Sequence, residues 1–259
     1  MDDREVGRLW DQNADVWTML ARMGCDIYRD FLNTPAFLNM LPDVSGLRGL
    51  DVGCGEGHNT RLVAQRGAKM TAADIAPTFV RHAQDKEDEE PLGITYVAAS
   101  GADLPFDDES FDFAVAFMSL MDMANHEDAI REAYRVLKPG GFIQFSIIHP
   151  CFWTADLRWI RNEAGEPIGV LCRDYFEGHT KVQEWLFAAA PEEAKVGLPK
   201  FRVPRFSRTL SEWVNPLAEA GFRIEEMREP YADEESAKRF PRLAKSRMVA
   251  LFLHVRCRK

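Results

Sequence analysis

Cysteines are few in this chain, and none of them lie in a C-x-x-C pair. The five are odd in number and widely separated: Cys25, Cys54, Cys151, Cys172 and Cys257. A disulfide framework uses an even set of cysteines, and structural zinc sites use closely spaced pairs. The pattern therefore indicates neither, and we expect no metal.

Positive charge and long apolar runs are also scarce. The 41 acidic residues outnumber the 32 Lys and Arg residues, giving a net charge of −9, which opposes binding to a phosphate backbone. We therefore expect a small-molecule substrate and not a nucleic acid, although the locally basic segment from Lys238 to Lys259 keeps an RNA alternative open. No apolar run approaches the roughly 20 residues of a membrane span, and the acidic segment MDDREVGRLW lacks the basic start and apolar stretch of a secretion signal. We expect a cytoplasmic protein without membrane contact, as a monomer or homodimer.

Two common nucleotide-binding patterns are missing at a point that otherwise resembles a nucleotide site. The stretch LDVGCGEGHNT at 50–60 holds Gly53, Gly55 and Gly57 between an apolar run and a helical pattern. This G-x-G-x-G spacing differs from the G-x-G-x-x-G of dinucleotide sites, and no Gly-Lys-Ser/Thr of a P-loop follows. Because glycine permits positive φ and the close approach of a ligand, the loop still predicts a binding site at the carboxyl end of a strand.

Two acidic residues accompany this loop. The Asp51 carboxylate would repel a pyrophosphate but suits a ligand that carries an ammonium group. Asp74 follows the next apolar run and lies 21 residues after Gly53, close to the spacing at which an acid meets ribose hydroxyls. The alternative for Asp74 is an N-cap of the helix that begins in DIAPT.

Short apolar runs alternate with helical stretches through most of the chain. Strands are predicted in LRGLDV, AKMTAAD, ITYVAA, FDFAVAFM and GFIQFSII, and two more in FRIEEMREP and MVALFLHVRC. Runs of this kind between helices indicate a parallel sheet in an α/β fold. Helices are predicted over 5–20, in NTRLVAQRG and HEDAIREAYRV, and in TLSEWVNPLAEAGF, where Thr209 and Glu212 have capping-box spacing and Gly221 ends the helix.

The pattern divides the chain into four parts. We predict an N-terminal helical cap at 1–45, a ligand-binding core at 46–150, an inserted lid at 151–208, and a C-terminal helix with the last two strands at 209–259. The inserted part is rich in aromatic residues and has no clean period, with NEAGEP and KFRVPRF as turn-like pieces. Such aromatics build a core or a dimer surface more often than they line a pocket, so the lid is one of two interpretations.

LDVGCGEG resembles the first motif of the class I S-adenosylmethionine-dependent methyltransferases. LPFDDESFDFAVA followed by EAYRVLKPGGFIQFS resembles the later motifs of the type 11-like branch, which methylates small molecules. The resemblance runs from about 47 to 149. It implies a Rossmann-like sheet of seven mostly parallel strands with helices on both faces and an antiparallel last strand. It also implies S-adenosylmethionine as cofactor and S-adenosylhomocysteine as its product.

The resemblance assigns roles to individual residues. Asp51 and the loop residues Gly53, Cys54, Gly55 and Gly57 would surround the methionine end, with the Asp51 carboxylate directed to the ammonium. Asp74 would hold the ribose hydroxyls, Ile75 would pack on the adenine, and Met118 would touch the adenosine or the methionine chain.

The third motif departs from the family pattern. Where the branch usually has Gly-Asp-Ala, this chain has Ala99, Ser100 and Gly101. Ser100 thus replaces the acid that commonly accepts from the adenine amino group. A hydroxyl can still accept this hydrogen bond, and we expect backbone groups of Gly101 and Ala102 to share in adenine recognition.

Two residues are candidates for proton removal from the methyl acceptor. His149 in SIIHPCFW follows the fifth strand and is of a type that titrates near neutral pH; the alternative is that it shapes the turn before Pro150. Asp122 follows the fourth strand, with helix capping as its alternative. The resemblance implies methyl transfer by in-line displacement, and the aromatic insertion favours a small aromatic or apolar metabolite as acceptor. An RNA or protein methyltransferase, or a cofactor-binding protein without catalytic activity, are the other possibilities.

Overall fold

A computed structural model describes residues 1–154 and 156–259. Its centre is a seven-stranded sheet. The strands are β1 (Arg48–Val52), β2 (Lys69–Asp74), β3 (Thr95–Ala98), β4 (Phe111–Phe117), β5 (Leu137–Ile148), β10 (Arg223–Arg228) and β11 (Phe252–Arg258). Across the sheet they lie in the order β10-β11-β5-β4-β1-β2-β3. β11 runs antiparallel to both of its neighbours, and the pairs among β1 to β5 are parallel. The predicted fold class is confirmed.

Helices cover both faces of the sheet because the central strands are apolar on both sides. In β4, Ala114 and Ala116 face a core that includes residues of α5 (His126–Val136) and α7 (Leu210–Ala220). Phe113 and Val115 face the opposite core, formed with α2 (Thr34–Met40), α3 (His58–Ala64) and α4 (Pro77–Glu89). Successive strand residues point to opposite faces, so one strand contributes to both cores.

The N-terminal part begins with the 20-residue helix α1 (Asp3–Arg22). Asp2 is its N-cap, accepting from Glu5 N at 2.8 Å. A short π-helix, Arg29–Asn33, leads into α2. Arg29 donates to Glu56 Oε1 at 3.0 Å, and this ion pair holds the N-terminal part against the glycine loop.

The part between β5 and α7 contains two antiparallel hairpins. The first pairs β6 (Asp156–Arg161) with β7 (Pro167–Arg173), and the second pairs β8 (Thr180–Trp185) with β9 (Phe201–Phe206). NEAGEP contains the turn of the first hairpin, as expected. KFRVPRF is a strand and not a turn, so that expectation is wrong; Pro204 is tolerated because β9 pairs with β8 alone.

The C-terminal part contains α7, α8 (Glu234–Arg239) and a 3₁₀ helix, Pro241–Arg247, besides β10 and β11. The short α6 (Glu192–Lys195) lies within the second hairpin. The predicted capping box is present at α7: Thr209 accepts from Glu212 N, and Glu212 accepts from Thr209 N. Gly221 ends this helix in the left-handed conformation with φ of 100°.

Candidate functional site

The glycine loop turns sharply between β1 and α3. Gly53, Gly55 and Gly57 all have positive φ, of 78°, 54° and 83°. A Cβ on Gly53 would lie 2.4 Å from Ser119 Cβ, and one on Gly57 would lie 2.7 Å from Tyr96 Oη, so the fold itself requires these two glycines. At Gly55 a Cβ would meet no heavy atom within 4 Å. The space beside Gly55 is therefore open to a ligand.

Asp51, at the end of β1, is a buried carboxyl with one free oxygen. Its Oδ2 accepts from Thr60 Oγ1 at 2.6 Å, and its Oδ1 has no partner among the residues described. Burial raises the pKa of Asp51 to about 7, partly offset by the Thr60 hydrogen bond, and Asp74 raises it further. A buried carboxylate without a positive partner costs free energy, so this oxygen is suited to a cationic group.

Asp74, at the end of β2, organises the same loop from the other side. Its Oδ2 accepts from Gly55 N at 2.8 Å, and its Oδ1 accepts from Ala76 N at 2.9 Å. Burial raises the pKa of Asp74 to about 6, and these two backbone donors oppose the rise. Asp74 is not the N-cap of α4, since that position is Ala76. Each oxygen retains a lone pair for a further donor.

Cys54 and Ile75 lie beside these acids. The Cys54 thiol is half-buried, 3.6 Å from the carbonyl oxygen of Gly55, and burial raises its pKa well above the ordinary value. Ile75 lies under α1: a Cβ on Gly7 would be 3.0 Å from Ile75 Cγ1. The first helix therefore covers this edge of the site.

The loop after β3 carries the three residues predicted for adenine recognition. Ser100 Oγ accepts from Ala102 N at 3.2 Å and lies 3.4 Å from Asp3 Oδ2. A Cβ on Gly101 would lie 2.9 Å from Met123 Cε and from Val52 Cγ1. The loop is thus packed closely against the end of β1.

The segment after β4 touches the glycine loop. Ser119 Oγ donates to the carbonyl oxygen of Val52, and Met123 Cε would lie 3.4 Å from a Cβ on Gly53. Sequence reasoning missed Ser119 and Met123, whose contacts are long-range. Met118 has a φ of 54°, uncommon for a side chain of its size, and packs in an apolar cluster with Tyr28 and Trp159.

Asp122 ends the 3₁₀ helix Leu120–Asp122 in that segment. Its side chain makes no hydrogen bond within the described parts of the chain, so it does not cap α5. Burial raises the pKa of Asp122 to about 8, and Arg208 and Arg205 oppose the rise. Burial also lowers the pKa of both arginines to about 10.

His149 has both ring nitrogens engaged. Nδ1 accepts from Cys151 N at 3.2 Å, which assigns the ring proton to Nε2, 2.8 Å from Glu229 Oε1. The carbonyl oxygen of His149 accepts from Phe152 N and Trp153 N. Burial lowers the pKa of the imidazole, and Glu229 opposes this. These hydrogen bonds lie within the turn at 149–153, which includes Pro150.

The aromatic residues of 151–208 lie in several different surroundings. Trp185, Phe187 and Phe201 surround Trp17 of α1, with ring centroids 5.5, 4.8 and 4.8 Å away. Two others lie beneath guanidinium groups: Trp153 under Arg205 and Phe206 under Arg208. The remaining four are Phe152, Trp159, Tyr175 and Phe176, of which Phe176 is the most exposed. The role of this part as a lid stays a prediction.

The basic C-terminal segment is largely engaged within the fold. Arg256 and Arg258 pair with Glu225 on β10. The Lys259 amino group donates to two backbone carbonyl oxygens, and Lys245 lies over the Trp159 ring. These cations therefore stabilise strand pairing and packing.

Two further observations concern the described residues as a whole. Among residues 1–154 and 156–259, no group of three or more His, Cys, Asp or Glu side chains is arranged to hold a metal ion. Within those same ranges, every helix is too short or too polar to cross a membrane.

Comparison with known proteins gives consistent matches. Residues 50–145 match the family model described as a methyltransferase domain. Over 106 residues the chain is 40% identical to the demethylmenaquinone methyltransferase of Tropheryma whipplei (strain Twist), covering 41% of this chain and 44% of that protein. It is 29% identical over 155 residues to the 27-O-demethylrifamycin SV methyltransferase of Amycolatopsis mediterranei, covering 57% of each. The matches thus span about half the length of these relatives.

A solved structure extends the likeness to most of the chain. The S-adenosylmethionine-dependent methyltransferase from Mesorhizobium loti superposes with a TM-score of 0.71 at 27% sequence identity. The superposition covers 87% of this chain and 96% of that one. It therefore includes much of the chain outside residues 50–145.

Proposed function

We propose that this chain, whose residues 50–145 form a methyltransferase domain of the class I S-adenosylmethionine-dependent family, transfers a methyl group from S-adenosylmethionine to a small metabolite. The proposal is carried by the free Oδ1 of the buried Asp51, at the end of the strand that leads into the glycine loop, together with the open space at Gly55. A loop that needed only to turn would not require a buried carboxylate without a cationic partner.

The residues at the glycine loop fit the methionine end of this cofactor. Its ammonium group supplies the positive charge and donors that Asp51 Oδ1 lacks. The absence of a side chain at Gly55 lets the ligand approach the backbone. Gly53, Cys54 and Gly57 complete the loop around the same space.

The residues at the ends of β2 and β3 fit the adenosine end. Asp74 has lone pairs left for ribose hydroxyls after it has accepted from Gly55 N and Ala76 N. Ile75 offers an apolar surface to a purine ring. Gly101, Ala102 and Met118 remain the further candidates for contact with adenosine.

When bound, the cofactor supplies an electrophilic methyl group on a sulfonium, and the residues of the chain align the acceptor and manage its proton. The hydrogen bond from Ser119 to Val52 fixes the segment after β4 against the loop. We propose that Asp122, in the same segment, lies close to the reacting end. Asp122 is favoured over His149 as proton acceptor because its carboxyl makes no hydrogen bond, whereas both nitrogens of His149 are engaged.

The surroundings of Asp122 suit its carboxylate to accept a proton. Burial raises its proton affinity, and Arg205 and Arg208 support the ionised form. The residue can thus take a proton from a hydroxyl or a similar group as the new bond forms.

An apolar, ring-containing acceptor is supported by two observations. Tyr28, Met118 and Trp159 are half-buried members of one apolar cluster, and Met118 directly follows the last residue of β4. The two curated relatives are named for demethylmenaquinone and 27-O-demethylrifamycin SV, which are small molecules.

The proposal is tested by calorimetry and a methyl-transfer screen with the purified full chain. We expect S-adenosylhomocysteine to bind and NAD not to bind, and Asp51→Asn to weaken S-adenosylhomocysteine while the surface variant Asp128→Asn does not. A screen with radiolabelled cofactor should label phenolic or quinol acceptors. Labelling of bulk RNA or protein instead would support the macromolecular alternative, and binding without any transfer would support a non-catalytic protein. If the folded chain does not bind S-adenosylhomocysteine, the proposal is wrong.

A further inference from the structure

One face of α1 lies along the loops predicted to hold adenosine. Asp3, Gly7 and Asp11 are four residues apart and therefore share this face. Asp3 Oδ2 is 3.4 Å from Ser100 Oγ, Gly7 lies against Ile75, and Asp11 Oδ1 accepts from Thr78 N at 2.8 Å. The helix thus meets both the loop after β3 and the start of α4.

Ser100 is poorly placed to replace the missing acid alone. Its oxygen already accepts from Ala102 N at 3.2 Å, and its only hydrogen is directed at Asp3. One lone pair of a neutral hydroxyl remains, and a neutral acceptor binds more weakly than a carboxylate.

Asp3 has the acceptor capacity that Ser100 lacks. Its Oδ2 receives two long contacts, from Ser100 Oγ and Asn125 Nδ2, both at 3.4 Å. Its Oδ1 has no hydrogen-bond partner in the described ranges of the chain. The side chain is half-buried at a cleft of about 310 Å³ whose walls include Gly7, Ile75 and Pro77.

We infer that Asp3 supplies the carboxylate that accepts a hydrogen bond from the exocyclic amino group of adenine. The inference rests on the proposed function and adds to it. Ser100 orients Asp3 by donating to Oδ2, and Oδ1 accepts from the purine. The acid that the family commonly carries in the loop after β3 is thus provided here by the first helix.

This arrangement determines which purine is accepted. The amino group at position 6 of adenine donates a hydrogen bond. The oxo group of hypoxanthine at the same position can only accept one, so it would lie against the Asp3 carboxylate, which is also an acceptor. A site that hydrogen-bonds one of these groups rejects the other because a buried polar group is left unpaired. The site should therefore bind the adenosine-containing cofactor more tightly than its inosine analogue, because of Asp3 in α1.

The test compares S-adenosylhomocysteine with S-inosylhomocysteine by calorimetry on the full chain. We expect Asp3→Ala to weaken S-adenosylhomocysteine about 10- to 100-fold, the range for a hydrogen bond to a charged group, and to leave S-inosylhomocysteine unchanged or tighter. The double variant Asp3→Ala with Ser100→Asp should restore the preference for adenine, because the acid returns to the loop.

The matched control is Asp2→Ala, which removes the N-cap of α1 without removing Asp3. If Asp2→Ala and Asp3→Ala weaken both ligands equally, Asp3 acts only through helix stability and the inference is wrong. An unchanged preference for adenine in Asp3→Ala overturns it as well, while the proposed function survives. Failure of the wild-type chain to bind either ligand would instead overturn the proposed function.

Discussion

Thr60 donates a 2.6 Å hydrogen bond to Oδ2 of Asp51 and leaves Oδ1 of the same buried carboxyl without a partner. Because the pKa of Asp51 is raised to about 7 by burial, the carboxyl holds a proton over much of the acidic range. A bound ammonium group favours the ionised form and lowers this pKa, so the ligand must displace that proton. Affinity should therefore increase as the pH rises to about 7 and then level off.

The measurement is calorimetry of S-adenosylhomocysteine binding at pH 6.5 in two buffers of different ionisation enthalpy. We expect wild type to release a substantial fraction of a proton, and Asp51→Asn to release much less, the remainder coming from Asp74. Identical heats in both buffers for wild type would contradict a protonated Asp51.

The Asp51 carboxyl also affects the stability of the ligand-free protein. A carboxyl whose pKa is raised on folding opposes the folded state once it ionises, so stability should decrease as the pH rises from the unfolded value near 4 through about 7. Asp122 extends this loss to about pH 8. We expect the melting temperature of the ligand-free chain to fall over this range, and to fall less steeply in the double variant Asp51→Asn with Asp122→Asn. An equally steep fall in that variant would show that other groups are responsible.

The open space at Gly55 allows a test with a matched control. Gly55 and Gly165 both have positive φ, and a Cβ on either would meet no atom within 4 Å. Changing each to Ala should cost a similar amount of stability, about 1 kcal/mol, because alanine disfavours this conformation. Only Gly55→Ala should weaken S-adenosylhomocysteine, measured by calorimetry at a temperature where both variants are folded. Equal affinities in the two variants would mean that the ligand does not bind at the glycine loop.

The pH dependence of the methyl-transfer rate can identify the proton acceptor. If Asp122 takes the proton, single-turnover rates with an acceptor found by the screen should rise through about pH 8, and Asp122→Asn should lower them about 10²- to 10⁴-fold. His149→Ala should lower the melting temperature, because the turn after β5 loses its hydrogen bonds, and leave turnover per folded molecule nearly unchanged. A profile that rises below pH 6.5 and is lost in His149→Ala would assign the proton to His149 instead.

Local patterns were sufficient for the sheet and for the helices α1, α3, α5 and α7. The seven strands of the sheet follow from apolar runs, and the capping box at Thr209 and Glu212 follows from residue types three positions apart. KFRVPRF was misassigned because Pro204 suggests a turn, whereas an isolated hairpin tolerates it. The contacts of Ser119 and Met123 with the glycine loop, and that of Asp3 with Ser100, join distant parts of the chain and leave no periodic signal.

The link between α1 and the second hairpin is also long-range, and it gives the last prediction. Asn13 Nδ2 donates to the carbonyl oxygen of Arg202 at 3.0 Å, and Asn13 Oδ1 accepts from Arg202 N at 2.9 Å. The buried amide thus pairs with β9 as a neighbouring strand would. Trp17, one helical turn further along, packs on the aromatic residues of the same hairpin.

Asn13→Leu should remove both hydrogen bonds and leave two backbone groups of Arg202 unpaired. We expect a loss of about 1 to 3 kcal/mol in the free energy of unfolding, and faster amide exchange in α1 and β9 than in β4 and β5. The matched control is Thr18→Val on the same helix, since the buried Thr18 hydroxyl has no partner in the described residues and its removal should be neutral or stabilising. Because Asp3 is the first residue of the same helix, Asn13→Leu should also weaken S-adenosylhomocysteine binding, whereas Thr18→Val should not. Uniform exchange across the chain in Asn13→Leu would mean that α1 does not connect the hairpin to the cofactor site.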